Sequence, residues 1–335
     1  MSSRMSNDAQ PLVSVVTPFY NGAQYLRECA ESVLAQSYGN FEYLLIDNHS
    51  QDGASEIARE MAARDPRVRV IQPPRFLPQV ENFNFALEQA SPHAAYVKMV
   101  AGDDWLYPNC LTEMVGLAAQ HPSVAIVSAY RMRGAEVDGS GIDPQVHVLS
   151  GRDVCRLHLL HGVFVFGSPT TVLYRADVVR KRAPFFVLGR PHPDTDAAFE
   201  ILYTEDFGFV HQILTFSRTQ PESEMGSRRF FVPEALDRYL SVAQFGARYL
   251  TGDEQDLALK KATRWEYSVL AQGFLAKQLG REGDDFWQYH HKGLTSIGER
   301  ARPELLAAGL VRVVARGLLS PIATMKSLRR MTKKG

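Results

Sequence analysis

The sequence predicts an α/β protein: a doubly wound, mostly parallel sheet flanked by helices, followed by a helical C-terminal extension. Three observations predict it. Short β-branched runs alternate with helically spaced apolar residues through the first half of the chain, the pattern of βαβ units. Polar residues punctuate the ends of those runs, where ligands bind in sheets of this kind. From about Pro233 onward the spacing is helical with no strand signal.

The elements follow in order. Val13–Thr17 is a β-branched run that stops at Pro18 and Asn21-Gly22. Tyr25, Leu26, Cys29, Ala30, Val33 and Leu34 then lie at helical spacing. Phe41–Ile46 reads as a buried strand ending at Asp47, and Asp52-Gly53 opens a helix to about Ala63. Val68–Ile71, a helix from Val80 to Ala90 and a strand from Ala95 to Val100 complete the alternation. Further on come a helix Leu111–Gln120, a strand Val124–Tyr130, a polar hairpin-like segment 134–144 and a helix Arg152–His161. The run 163–168 leads into Thr170–Tyr174, Asp194–Tyr203 has helical spacing, and Phe207–Phe216 reads as a strand before a polar loop over 219–229.

Composition narrows the function classes. Lys+Arg 37 against Asp+Glu 37 gives a net charge of +0, so no basic field points to nucleic acid. Cys29, Cys110 and Cys155 are widely spaced in apolar helical patterns and read as buried thiols. The histidines form no ligand-spaced cluster, and His290-His291 reads as surface. Met1–Gln10 shows no apolar run of a signal peptide, and no stretch is apolar enough to span a membrane. The expectation is a cytoplasmic protein.

The run Tyr96–Trp105 ends a strand in two adjacent carboxylates, Asp103 and Asp104. Adjacent negative charges at a sheet rim are costly unless a cation sits between them. Mg²⁺ or Mn²⁺ holding a diphosphate is one candidate, since hard cations take carboxylate and phosphate oxygens together. A turn or helix-cap role for Asp104 is the other. Thr17-Pro18, Asp47-Asn48 and Asp103-Asp104 all fall at strand ends on one rim, which favours a ligand.

The segments 13–22, Tyr25-Leu26, 31–36, 45–53 and 101–105, in that order and spacing, resemble the family 2 inverting glycosyltransferases of GT-A fold. The resemblance is strong over about 11–110, continues to about 223 and does not reach the last third. It implies a nucleotide-sugar donor, usually UDP-linked, a divalent metal, and a glycan or lipid-linked acceptor, as in bacterial surface-polysaccharide assembly. Thr17, Pro18, Tyr20 and Asp47 match positions lining the nucleoside pocket. Asn84 matches a polar position turned to the donor, with local packing as its alternative. Asp104 and Asp103 match the metal motif, one holding the metal and the other a ribose or sugar hydroxyl, but Ala101 stands where the family often has a third carboxylate. Gly167 and Ser168 match the acceptor side. Arg218 matches a segment that closes over the diphosphate, with a surface salt bridge as its alternative. The domains implied are a disordered tail 1–10, a catalytic domain 11–230 and a helical region 231–335 with a basic amphipathic tail.

Inversion needs a carboxylate that removes the acceptor hydroxyl proton as that oxygen attacks. Glu205-Asp206 has the family's literal dipeptide but leads straight into a strand. Asp194 opens a helical pattern, so it is the expected base, with Asp196 in reserve; a helix N-terminus keeps it ionised. Non-catalytic nucleotide-sugar binding is the alternative, motivated by Ala101 and by the missing glutamate before Asp194. A dinucleotide oxidoreductase is not supported, because no Gly-x-Gly-x-x-Gly follows the first strand.

After Glu304 the chain has no acidic residue, and Leu305–Met331 mixes apolar residues with arginine and lysine. Such a helix can lie on an anionic membrane surface, or pack on the catalytic domain with a solvated tail. The helical stretch 233–300 offers either a cover for the acceptor side or a homodimer contact.

Overall fold

The computed structural model describes residues 10–166, 168–218, 232–278 and 284–319. The expected tail through residue 9, Gly167, the loop 219–229 and the basic residues beyond 319 lie outside them. The described chain forms two compact units. The first comprises residues 10–158, 163–188 and 193–218; the second comprises 159–162, 189–192 and the described residues from 232 onward.

The first unit is a ten-stranded sheet flanked by helices. Its first four strands are β1 (Val13–Phe19), β2 (Phe41–Asp47), β3 (Val68–Ile71) and β4 (Tyr96–Met99). Helices α1 (Ala23–Leu34), α2 (Ala54–Arg64) and α3 (Gln79–Glu88) connect them. They lie parallel in the order β3-β2-β1-β4. The wholly or largely buried β-branched and leucine residues of β1 and β2 are what strands covered on both faces require.

The second half of the sheet is mixed. It is built from β5 (Trp105–Leu106), β6 (Val124–Arg133), β7 (Glu136–Asp138), β8 (Val148–Ser150), β9 (Leu173–Arg175) and β10 (Asp206–Ser217). Here β9 runs antiparallel between β4 and β6, while β10 lies parallel to β6 and carries β5 and β8 antiparallel. The polar segment at 134–144 begins as the hairpin partner of β6, with β7 paired back onto it. Helices α4 (Cys110–Gln120), α5 (Gly151–His161), α6 (Ala176–Arg180) and α7 (Pro193–Ile201) complete the layer.

The second unit is helical in its described residues: α8 (Pro233–Tyr249), α9 (Gly252–Gln278), α10 (Asp284–Ser296) and α11 (Pro303–Leu319). Ala235, Tyr267, Val269, Leu270 and Phe286 form its core. Gly309 brings α11 against the backbone of α9, where a β-carbon would run into the Tyr267 carbonyl. His290 corrects a sequence expectation. It is buried, with Nδ1 2.7 Å from Glu266 Oε1, because a carboxylate from α9 supplies a partner that the local sequence does not reveal. His291 is exposed as expected. No helix among the described residues is long and apolar enough to cross a membrane.

Candidate active site

Beyond the C-terminal ends of β1 and β2 two connecting turns are tied together. The Asn21 N–H donates to Ser50 Oγ, the Gln51 N–H to Asn21 Oδ1, and the Ala23 N–H to Asp52 Oδ2. Asn21 and His49 hold left-handed backbone, with φ of 48° and 66°. Such conformations cost energy and concentrate where a loop is shaped for a ligand. Tyr20 projects from this rim half exposed, edge-on to Phe76 with ring centroids 5.0 Å apart.

Asp47 ends β2 and is buried. Its Oδ1 accepts the Ser50 N–H at 2.9 Å and its Oδ2 the Ser55 hydroxyl at 2.5 Å. The carboxylate therefore orders the β2–α2 turn. Thr17 and Pro18 are also buried, and the Thr17 hydroxyl meets Tyr43 Oη at 3.0 Å in the interior. Asn84 is engaged by a distant segment: its amide donates to the Phe186 carbonyl and accepts the Phe186 N–H, both at 2.8 Å. The sequence carried local packing as the alternative to a donor contact; the partner seen is instead 102 residues away.

The loop after β4 is the densest polar centre. Gly102 presses against β1, where a β-carbon would stand 2.9 Å from that of Phe19. The Cys29 thiol donates to the Ala101 carbonyl at 3.5 Å. Burial first, then the Asp104 charge, push that thiol up to about 12, so it remains a neutral donor. On the far side β5 pairs with the end of β10, which brings Ser217 and Arg218 to Asp104. Asp104 Oδ1 accepts the Arg218 N–H at 2.9 Å. Its Oδ2 accepts the Thr170 hydroxyl at 2.6 Å and the Ser217 hydroxyl at 3.4 Å.

Burial, followed by the neighbouring Asp103 charge, raises Asp104 to about 6, and burial raises Asp103 as well. Two hard carboxylates held short of comfortable ionisation fit a divalent cation such as Mn²⁺ or Mg²⁺, whose positive charge relieves both causes. Among the described residues no group of three or more His, Cys, Asp or Glu could form a complete protein cage.

Arg218 makes the salt bridge that is its alternative reading. Its Nε donates to the Asp103 carbonyl at 3.1 Å, and its Nη2 pairs with Glu28 of α1 at 2.6 Å. The guanidinium lies over Tyr25 at 4.3 Å and over Trp105 at 5.3 Å, and Trp105 itself stacks on Phe216 at 3.7 Å. The planar cation is thus fixed on aromatic faces beside two carboxylates.

Asp194 is in the first turn of α7, with Oδ1 3.0 Å from the Thr195 N–H. Its charge helps hold the Tyr174 phenol well above its ordinary pKa, after burial. Tyr174 belongs to β9, four residues beyond Thr170, so their Cα atoms are at most about 14 Å apart. One short segment, the turn at Thr170 and the strand β9 that follows it, thus carries both the Asp104 contact and the Asp194 neighbour. Asp196 lies in the same turn, whereas Asp206 begins β10 after Glu205, which pairs with Arg175 at 2.8 Å. Ser168 Oγ is 3.4 Å from Thr171 Oγ1, and Gly167 lies outside the described residues. His211 is structural, between Tyr130 Oη and the Val146 carbonyl.

Sequence reasoning missed Thr170, Ser217, Glu28 and Lys98. Lys98 is wholly buried on β4 and donates to the carbonyls of Thr170 and Val172. A lysine inside an apolar strand was a signal available in the sequence.

The Glycosyl transferase family 2 model matches residues 14–182, just over half of the chain. The chain belongs to that family. Among its relatives, glycosyltransferase GlyG of Streptococcus pneumoniae is 30% identical over 119 residues, 36% of this chain and 39% of GlyG. The uncharacterized glycosyltransferase YibD of Escherichia coli is 29% identical over 216 residues, 61% of this chain and 58% of YibD. The chain thus spans less than two thirds of either relative. The crystal structure of S. aureus TarS 1-349 in complex with UDP-GlcNAc superposes with a TM-score of 0.60 at 16% identity, covering 96% of this chain and 89% of that one. The mannosyltransferase PcManGT of Pyrobaculum calidifontis, in complex with GDP-Man and Mn²⁺, gives 0.55 at 15% identity over 97% and 87%. These likenesses show the GT-A fold.

Proposed function

We propose that the protein transfers a sugar from a nucleotide diphosphate, with a UDP-sugar the first candidate, to a hydroxyl of a glycan or lipid-linked acceptor, with inversion. The observation that carries this reading is the buried Asp104 carboxylate, framed by Thr170, Ser217 and Arg218 beside Asp103. Family membership supports sugar transfer. The UDP-GlcNAc complex of TarS and the GDP-Man and Mn²⁺ complex of PcManGT support a metal-bound nucleotide-sugar donor.

Asp103 and Asp104 are the residues that would hold the divalent cation, which offsets the charge of a departing diphosphate. Arg218 binds the diphosphate from the side of α1, releasing Glu28 as it does so. Tyr20 and Asp47 bound the nucleoside end. Asp194 takes the proton of the acceptor hydroxyl as its oxygen bonds to the anomeric carbon. The bond from that carbon to the diphosphate oxygen breaks on the opposite face, and the nucleotide leaves with that electron pair.

The test is transfer or donor hydrolysis with a panel of nucleotide sugars and Mn²⁺ or Mg²⁺, with the anomeric configuration of the product read by NMR. A retained configuration overturns the inverting mechanism. Ala101 in place of a third carboxylate favours a second reading, non-catalytic binding. Tight donor binding with no turnover on any donor would select it.

A further inference from the structure

We propose that the helical unit docks on an anionic lipid surface through the outward faces of α11 and α9. The inference goes beyond sugar transfer and does not depend on it. Helix α11 is apolar on two sides. Leu305, Leu306, Gly309 and Val313 turn toward the unit's own core. Ala307, Val311, Val314 and Ala315, at positions i, i+4, i+7 and i+8, form an exposed stripe; Val311 is 69% and Val314 51% accessible. Among the described residues nothing covers this apolar stripe.

Charge identifies the cover. Arg312 is half-buried and Arg316 exposed on the same helix. From Leu305 to Gly335 the sequence holds seven basic residues (Arg312, Arg316, Lys326, Arg329, Arg330, Lys333 and Lys334) and no acidic one. The neighbouring helix α9 repeats the chemistry: Leu257, Lys260, Lys261, Arg264 and Trp265 are exposed at i, i+3, i+4, i+7 and i+8. Its Trp265 is 44% accessible among these cations. The α9 cluster of two lysines, an arginine and an exposed tryptophan, with the aliphatic stripe of α11, matches an anionic headgroup layer over shallow acyl chains. The exposed Asp253, Asp256 and Glu304 lie toward the N-terminal ends of the two helices. No described helix can cross a bilayer, so the contact is one of lying on the surface.

The test uses the full chain and two vesicle populations, phosphatidylcholine alone and phosphatidylcholine mixed with phosphatidylglycerol. Flotation should recover the protein with the anionic vesicles at least about tenfold more strongly than with the neutral ones, and added salt should weaken this. The double variant Val311→Asp, Val314→Asp should lose about tenfold or more of that binding with its circular dichroism unchanged. Should that variant misfold, brominated lipids supply the second readout: they should quench wild-type fluorescence, and Trp265→Phe should remove most of the quenching. Equal recovery on both vesicle types, or none on either, overturns the proposal. So does unchanged binding of a folded Val311/Val314 variant, which would assign the contact to the basic tail alone. Concentration-dependent self-association abolished by the same substitutions would also overturn it, assigning the stripe to a second copy of the chain.

Discussion

The Thr170 hydroxyl donates to the Asp104 carboxylate at 2.6 Å while accepting the Ala101 N–H at 3.0 Å. One side chain thus fixes both ends of the loop that carries the carboxylate pair. Thr170→Val keeps the shape and removes the hydroxyl. The Ala101 N–H is left without this acceptor, at a cost of about 1–3 kcal/mol. Loss of a group supporting a metal ligand typically weakens metal binding about 10–100-fold. Calorimetric titration of Mn²⁺ with UDP should show that loss, and Thr170→Ser should restore most of it.

The same carboxylate sets a pH dependence opposite in sign to that of a salt-bridged aspartate. Asp104 is raised to about 6 from 3.8, so the folded protein holds a proton there that the unfolded chain has released. Without metal, this group makes the fold more stable as pH falls from about 6 toward 3.8 and less stable as pH rises through that window. Cation binding requires the ionised form and should weaken below about pH 6. Thermal melts with and without Mn²⁺ across this range should diverge above pH 6 and converge below it. In Asp104→Asn the metal-free melt should lose the Asp104 share of the acid gain, leaving the smaller contribution of Asp103.

Asp194 and Asp206 are separated by position, since one opens a helix and the other a strand. Asp194→Asn should lower kcat by about 10²–10⁴-fold with donor affinity preserved, because proton removal matters only in the transition state. Asp206→Asn should leave kcat unchanged. If Asp196→Asn carries the loss instead, the base is the next turn-mate and the helix assignment still stands.

How much of this was legible in the sequence depended on range. Strands β1 to β4 could be read because each is a compact β-branched or leucine-rich run closed by a turn residue. Asp103 and Asp104 could be read because two carboxylates after an apolar strand are locally conspicuous. The two-residue strand β5 could not, since its pairing partner lies more than a hundred residues away in β10. The role of Ser217 arises from the same fold-back, and that of Thr170 from the pairing of β9 with β4. His290 looked like a surface residue because nothing nearby announced Glu266, which reaches it from another helix. Local periodicity reports which face is buried, not which polar group waits there.

Asn84 separates a donor contact from a structural one. Its amide satisfies both main-chain groups of Phe186, which are buried. Asn84→Ala leaves that N–H and that carbonyl unpaired and should destabilise the fold by about 2–4 kcal/mol. Urea unfolding should show this, with KM for the donor little changed under folding conditions. A rise in KM without loss of stability would return Asn84 to the donor pocket.

Lys98 is the strongest electrostatic oddity of the first unit. It is wholly buried, and its ammonium meets two main-chain carbonyls instead of a carboxylate. Burial lowers it to about 8 from 10.5, with the Cys110 and Asp104 charges opposing the shift. Between these two values the unfolded chain keeps a proton that the folded protein has released, so stability contributed by this site rises with pH. The difference corresponds to about 3 kcal/mol across the window. Lys98→Met removes the titrating group while filling a similar volume. The stability of wild type minus that of the variant should therefore climb from pH 8 to pH 10.5 and stay level below pH 7. Tyrosines, and cysteines other than the coupled Cys110, cancel in that difference; a parallel comparison in a Cys110→Ala background removes the Cys110 contribution. A flat difference would mean that Lys98 keeps its proton throughout, held by the Thr170 and Val172 carbonyls more firmly than burial opposes it.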